Sequence, residues 1–119
     1  MKKTDKKIEK TLREALTAVC DEALGTIKGF IWLTHLVNFD VFPQSLKIVC
    51  VFETDDELKQ ALDAQQNVFF YDHIQAQLSV VNIKIKNIHS HVFFDSEETC
   101  QRLHDGKWEE RFKRLSTLH

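Results

Sequence analysis

The residues of this sequence best suited to chemistry are three histidines and a cysteine toward its C-terminal end: His89-Ser90-His91, then Cys100 and His104. Side chains two apart on a strand share a face, and side chains four apart on a helix stack. His89 with His91, and Cys100 with His104, therefore offer four donors of the kinds zinc takes. A complete set of four suits a structural site rather than a catalytic one. The competing reading is a surface histidine pair, a small buried thiol and a histidine interacting with a helix C-terminus. The tight spacings of zinc modules are missing, so no cofactor is expected.

Catalytic arrangements are not apparent elsewhere. Cys50 lies between Val49 and Val51, and Cys20 falls on the inner side of an amphipathic stretch; thiols so placed behave as small hydrophobes. His35 stands in an apolar run and reads as a core or edge histidine. The three glycines are isolated, so neither a phosphate-cradling loop nor a nucleophile elbow can be assembled. The acid pairs Asp55-Asp56, Glu97-Glu98 and Glu109-Glu110 fall in first helical turns, where the helix dipole accounts for them. A non-enzymatic protein is expected.

Binding is better supported, and two surfaces present themselves. Residues 1–28 carry a net charge of +2, with Lys2, Lys3, Lys6, Lys7, Lys10 and Arg13 gathered ahead of Asp21 and Glu22. That order is the reverse of what a helix dipole favours, at a cost of a few tenths of a kcal/mol per charge, and it suits an anionic partner. Lys107, Arg111, Lys113 and Arg114 form a second basic segment, so nucleic acid is one partner class. The other surface is aromatic. Phe39, Phe42, Phe69, Phe70 and Tyr71 include adjacent pairs that cannot all face one core, which predicts an apolar contact patch for a protein partner or a second copy of the chain.

The elements that must position these residues follow from periodicity. Ile8, Leu12, Leu16, Val19 and Ala23 form a helical stripe over Thr4–Leu24, with Thr4 or Asp5 as N-cap and Gly25 as stop. Residues 30–38 are apolar on both alternating faces, as in a strand covered on both sides or central to a sheet. Residues 46–54 alternate, and the two strands predict an antiparallel hairpin. Thr54-Asp55-Asp56-Glu57 is a capping box that opens a helix. A second helix carries Phe70, Ile74, Leu78 and Val81. Residues 83–94 predict a third strand with a bulge or kink near Lys86 and Asn87. Asp95 and Ser96 cap a short helix, Gly106 interrupts, and Trp108, Phe112 and Leu115 form a last amphipathic turn or two.

The prediction is one α+β domain over residues 1–119, a mixed sheet of about three strands with helices packed on it, in the order α-β-β-α-α-β-α. Length, the 43% hydrophobic content and the single proline fit one compact unit. A net charge of -2 argues against a uniformly basic surface. The longest apolar run is far below the roughly 20 residues of a membrane span, and no signal peptide is visible. Three cysteines without a CxxC pair fit a reducing compartment, so a cytoplasmic location without membrane association is expected.

The element order resembles that of type II KH domains and of the BolA family. A KH domain grips nucleic acid through a GxxG turn between its two central helices. Here that place holds Asp63-Ala64-Gln65-Gln66-Asn67, with no glycine. The segments KKTDKKIEKTLREAL, WLTHLVNFDVFPQSLKIVCVF and SHVFFDSEETCQRLHDGKW resemble a small bacterial protein family whose members are sometimes labelled Fis-type transcriptional regulators. That resemblance implies a C-terminal helix-turn-helix, for which Glu97–Leu103, Gly106 and residues 107–115 are the nearest stretch, with Lys107, Arg111, Lys113 and Arg114 as its cations.

Overall fold

The computed structural model describes residues 2–116, the side chains of Leu115 and Ser116 excepted. The chain runs through α1 (Lys3–Thr26), β1 (Phe30–Leu36), β2 (Lys47–Phe52), α2 (Asp55–Asp63), α3 (Asn67–Val80), β3 (Val92–Ser96), α4 (Glu97–His104) and α5 (Trp108–Ser116). This is the predicted α+β domain. The sheet order is β1-β2-β3, with β1 antiparallel to β2 and β3 parallel to it. The hairpin returns at once, whereas the parallel partner needs the α2–α3 crossover.

Sequence dictates each face. On β2, Ile48, Cys50 and Phe52 point into the main core, which α1 and α3 complete with Leu12, Leu16, Val19, Phe70, Ile74 and Leu78. Val49 and Val51, pointing the other way by strand alternation, are just as deeply buried, at 1% and 0% exposed. α5 lies on that second face. The aromatic stripe of Trp108 and Phe112 therefore packs on the sheet; the Leu115 side chain lies outside the described residues.

Several expectations need correction. Of the two readings of β1, the strand covered on both faces holds and the central one does not: residues 31–36 are all half-buried, and the central strand, buried from Ile48 to Phe52, is β2. The two apolar faces of β1 are used because helices cover the sheet on both sides, even at its edge. α1 begins at Lys3 with no side-chain cap, and it passes through Gly25 to end at Thr26. The left-handed turn falls at Gly29 (φ +86°), where a Cβ would lie 2.6 Å from the Glu57 Cβ. The third strand is confined to Val92–Ser96. Ahead of it, Ile83, Ile85 and Ile88 are buried from an irregular segment that follows the left-handed Asn82. Buried side chains at alternate positions mimic a strand without any ladder partner.

Candidate functional site

Among the described residues β1 pairs only with β2, so no strand lies along its other edge. α1 runs above it in the opposite sense: the Glu9 carboxylate accepts from His35 Nε2 at 2.8 and 3.0 Å, near one end of the strand. Between helix and strand lies a groove of about 380 Å³, lined by Glu9, Arg13, Thr17 and Asp21 of α1 and by Leu33, Thr34 and His35 of β1. At Glu9 and His35 it meets a larger depression of about 890 Å³ that includes Leu36, Val37, Phe39 and Val41. The strand side mixes Leu33 with Thr34 and His35, the larger depression adds Asn38, Gln44, Ser45 and Lys47, and the helical wall carries both signs of charge. Cys20 also faces the smaller groove. Burial pushes its thiol up, with the nearby Asp21 charge adding to this and the Leu33 backbone opposing it.

The aromatic residues predicted as a contact patch are only partly available. Phe70 is 0% exposed and belongs to the core, where its ring meets Phe30, Phe52 and Phe94. Its neighbours fan out and are covered locally: Phe69 stacks on His73 at 3.9 Å and Tyr71 on His89 at 4.1 Å. Adjacent aromatic positions thus find partners within the chain, because histidines one helical turn away or on the next segment supply flat faces. Phe39 and Phe42 pair with each other beside the open edge.

The cationic residues divide. Lys2, Lys3, Lys6, Lys7, Lys10 and Arg13 are exposed, and none forms an ion pair among the described residues. Lys107, Lys113 and Arg114 are exposed as well, Arg114 having a partner within the chain. Arg111 is not a free contact. Its Nε and Nη2 grip the two oxygens of Asp95, the Nη2 contact at 2.8 Å, and its side chain is only 20% exposed. That carboxylate holds the guanidinium above its ordinary range.

The metal quartet is not assembled: no group of three or more ligating side chains suited to a metal occurs among the described residues. His89 stacks on Tyr71, His91 Nδ1 bonds the Leu46 carbonyl at 2.6 Å, Cys100 is buried, and His104 Nδ1 faces Arg111 Nη1 at 3.4 Å. His89 and His91 do not share a strand face, since residues 88–90 form a 3₁₀ turn and β3 starts only at Val92. Burial pushes the Cys50 and Cys100 thiols up, as expected for inert core groups.

Polar clusters that spacing did not reveal hold α4 and α5 in place. The Trp32 and Trp108 indoles donate to the two oxygens of Glu97 at 2.7 and 3.1 Å. Asp55 accepts from the Ser96 and Thr99 hydroxyls and from Arg102 at 2.9 Å, which together hold its carboxyl down to about 2. Each joins residues more than ten positions apart, so no local signal marks them. Among the described residues, no helix is long and apolar enough to cross a membrane. Comparison with protein-family models, with curated proteins and with solved structures found no match to this chain.

Proposed function

We propose that this protein is a non-enzymatic, cytoplasmic binding module that takes an extended peptide segment against the open edge of β1. One observation carries the reading. β1, FIWLTHL, is a seven-residue edge strand without Lys, Glu, Asp or Pro, the residues that ordinarily block edge pairing, and its one irregularity lies near its start, between Phe30 and Trp32. The other edge strand, β3, has five residues, includes Asp95 and has α2 packed beside it. A peptide added to β1 would gain main-chain hydrogen bonds, each contributing about 0.5–1.5 kcal/mol net, while the adjoining groove sorts side chains.

The test is selection of peptides from a random displayed library on the purified full chain, followed by hydrogen exchange. Selected peptides should slow exchange at residues 31–36, and Thr34→Lys, which places a charge on the edge, should abolish them. Peptides that protect other segments only, or that bind Thr34→Lys equally well, would overturn the reading.

A second reading, a nucleic-acid accessory protein, is favoured by the unpaired cations Lys2 to Arg13. Anisotropy titrations with single-stranded RNA and duplex DNA at two salt concentrations decide it. Phosphate contacts predict steep salt dependence and loss on joint replacement of Lys6, Lys7 and Lys10.

A further inference from the structure

The partner at the β1 edge can be narrowed, on the reading just proposed, by the charges beside it. On α1, Glu9, Arg13, Thr17 and Asp21 recur every four residues, follow one another along the helix, and all four line the same groove as Thr34, Glu9 being already engaged by His35. Arg13 and Asp21 are equally spaced about Thr17 and opposite in sign. A uniformly acidic segment would meet Glu9 and Asp21, and a uniformly basic one would meet Arg13. The partner that answers this pattern is one that carries it in reverse order.

We propose that the partner is a second copy of this chain, joined by antiparallel pairing of the two β1 edges about a two-fold axis passing near Thr34 and Thr17. Antiparallel α1 helices then lie side by side, and Arg13 of each copy meets Asp21 of the other. The contact is isologous and closes on itself, so it removes both open edges in one six-stranded sheet. It also accounts for the charge order of α1, which has no basic residue in its last turn and a lysine-rich start. That order opposes the dipole of its own helix, but in an antiparallel pair each lysine-rich half lies along the half holding Asp21 and Glu22.

Sedimentation equilibrium of the full chain, with charge reversals at exposed positions that leave the core untouched, provides the test. Wild type should sediment at twice its 13.9 kDa chain mass at high micromolar concentration. Arg13→Asp and Asp21→Arg should each weaken association by about tenfold, because each reverses both pairs in the dimer. Mixed in equal amounts, the two variants should associate as tightly as wild type, since every contact between unlike variants is again between opposite charges. Circular dichroism of each variant confirms folding. A wild-type monomer at all concentrations overturns the second copy as partner, while peptides that protect β1 would leave the edge reading standing. A dimer indifferent to both reversals, or variants whose mixture does not recover, overturns this arrangement.

Discussion

Trp32 on β1 and Trp108 on α5 meet edge to face, ring centres 4.9 Å apart, and donate their indole N–H groups to opposite oxygens of the same carboxylate, Glu97. The arrangement ties the edge strand to the last helix through the first turn of α4. It also closes the second face of the sheet over Val49 and Val51. Replacing Glu97 by Ala leaves two half-buried donors without their acceptor, at a cost of about 1–3 kcal/mol. These are the only tryptophans in the sequence, so the loss should appear both as a lower urea midpoint and as a shift in native tryptophan emission.

Arg111 and Asp95 are 20% and 18% exposed and share a two-pronged contact, so removing either one strands a poorly solvated charge. Arg111→Met should destabilise by about 2–3 kcal/mol, and so should Asp95→Asn. The double replacement should cost clearly less than the sum. A thermodynamic cycle from urea unfolding measures that coupling, and strict additivity would show the pair to be energetically silent.

Asp55 should lend stability a recognisable pH dependence. Hydrogen bonds from Ser96, Thr99 and Arg102 hold its carboxyl down to about 2, below its unfolded value. A carboxyl depressed in the folded state stabilises above its unfolded pKa, near 4, and loses that contribution as pH falls toward 2. Its side chain is 40% exposed, so solvent screening limits the effect to about 1 kcal/mol or less. The stability gap between wild type and Asp55→Asn should be constant above about pH 5 and should close between pH 4 and 2. A gap that persists at pH 2 would contradict this.

Gly29→Ala tests the turn between α1 and β1. The backbone there is left-handed, and the added methyl would collide with the Glu57 side chain. Strain and collision together should cost about 1–3 kcal/mol, whereas Gly25→Ala, inside α1 and in open space, should be neutral or stabilising by up to about 1 kcal/mol. Thermal melts of the two variants should move in opposite directions or differ by several degrees.

Thiol chemistry separates the three cysteines. Cys50 and Cys100 are 0% exposed and Cys20 is half-buried at the groove. A disulfide-exchange reagent should modify Cys20 first in the native protein and the other two only on unfolding. Because burial raises the Cys20 thiol, its rate should climb with pH beyond the range of an ordinary thiol. Mass spectrometry of peptide fragments after brief labelling checks the order.

Local patterns in the sequence carried most of the architecture. The α1 stripe, the hairpin, the Thr54 capping box and the Phe70-Ile74-Leu78 stripe each depend on residues within one or two turns of one another. Thr54 indeed accepts from Glu57 N at 3.1 Å, although the Glu57 carboxylate engages the Thr54 hydroxyl rather than its backbone. Position in the sheet was a different matter. The same apolar alternation suits a central strand and an edge strand covered above and below, so β1 was legible as a strand but not as an open edge. Ile83, Ile85 and Ile88 had a strand-like pattern with no ladder to join.

Whether a charged or aromatic side chain is available to a partner was decided only by tertiary structure. Arg111 and Lys113 look alike in the sequence, yet one is locked to Asp95, sixteen residues away, and the other faces solvent. Phe69 and Phe70 are neighbours, yet one is capped by His73 and the other fills the core. Arg13 and Asp21 acquire significance because the fold sets them along an unpaired strand edge. Periodicity encodes what a residue does within its own element, since those contacts are set by backbone geometry. Which elements meet, and therefore which groups remain for a partner, depends on long-range packing that no short window of sequence contains.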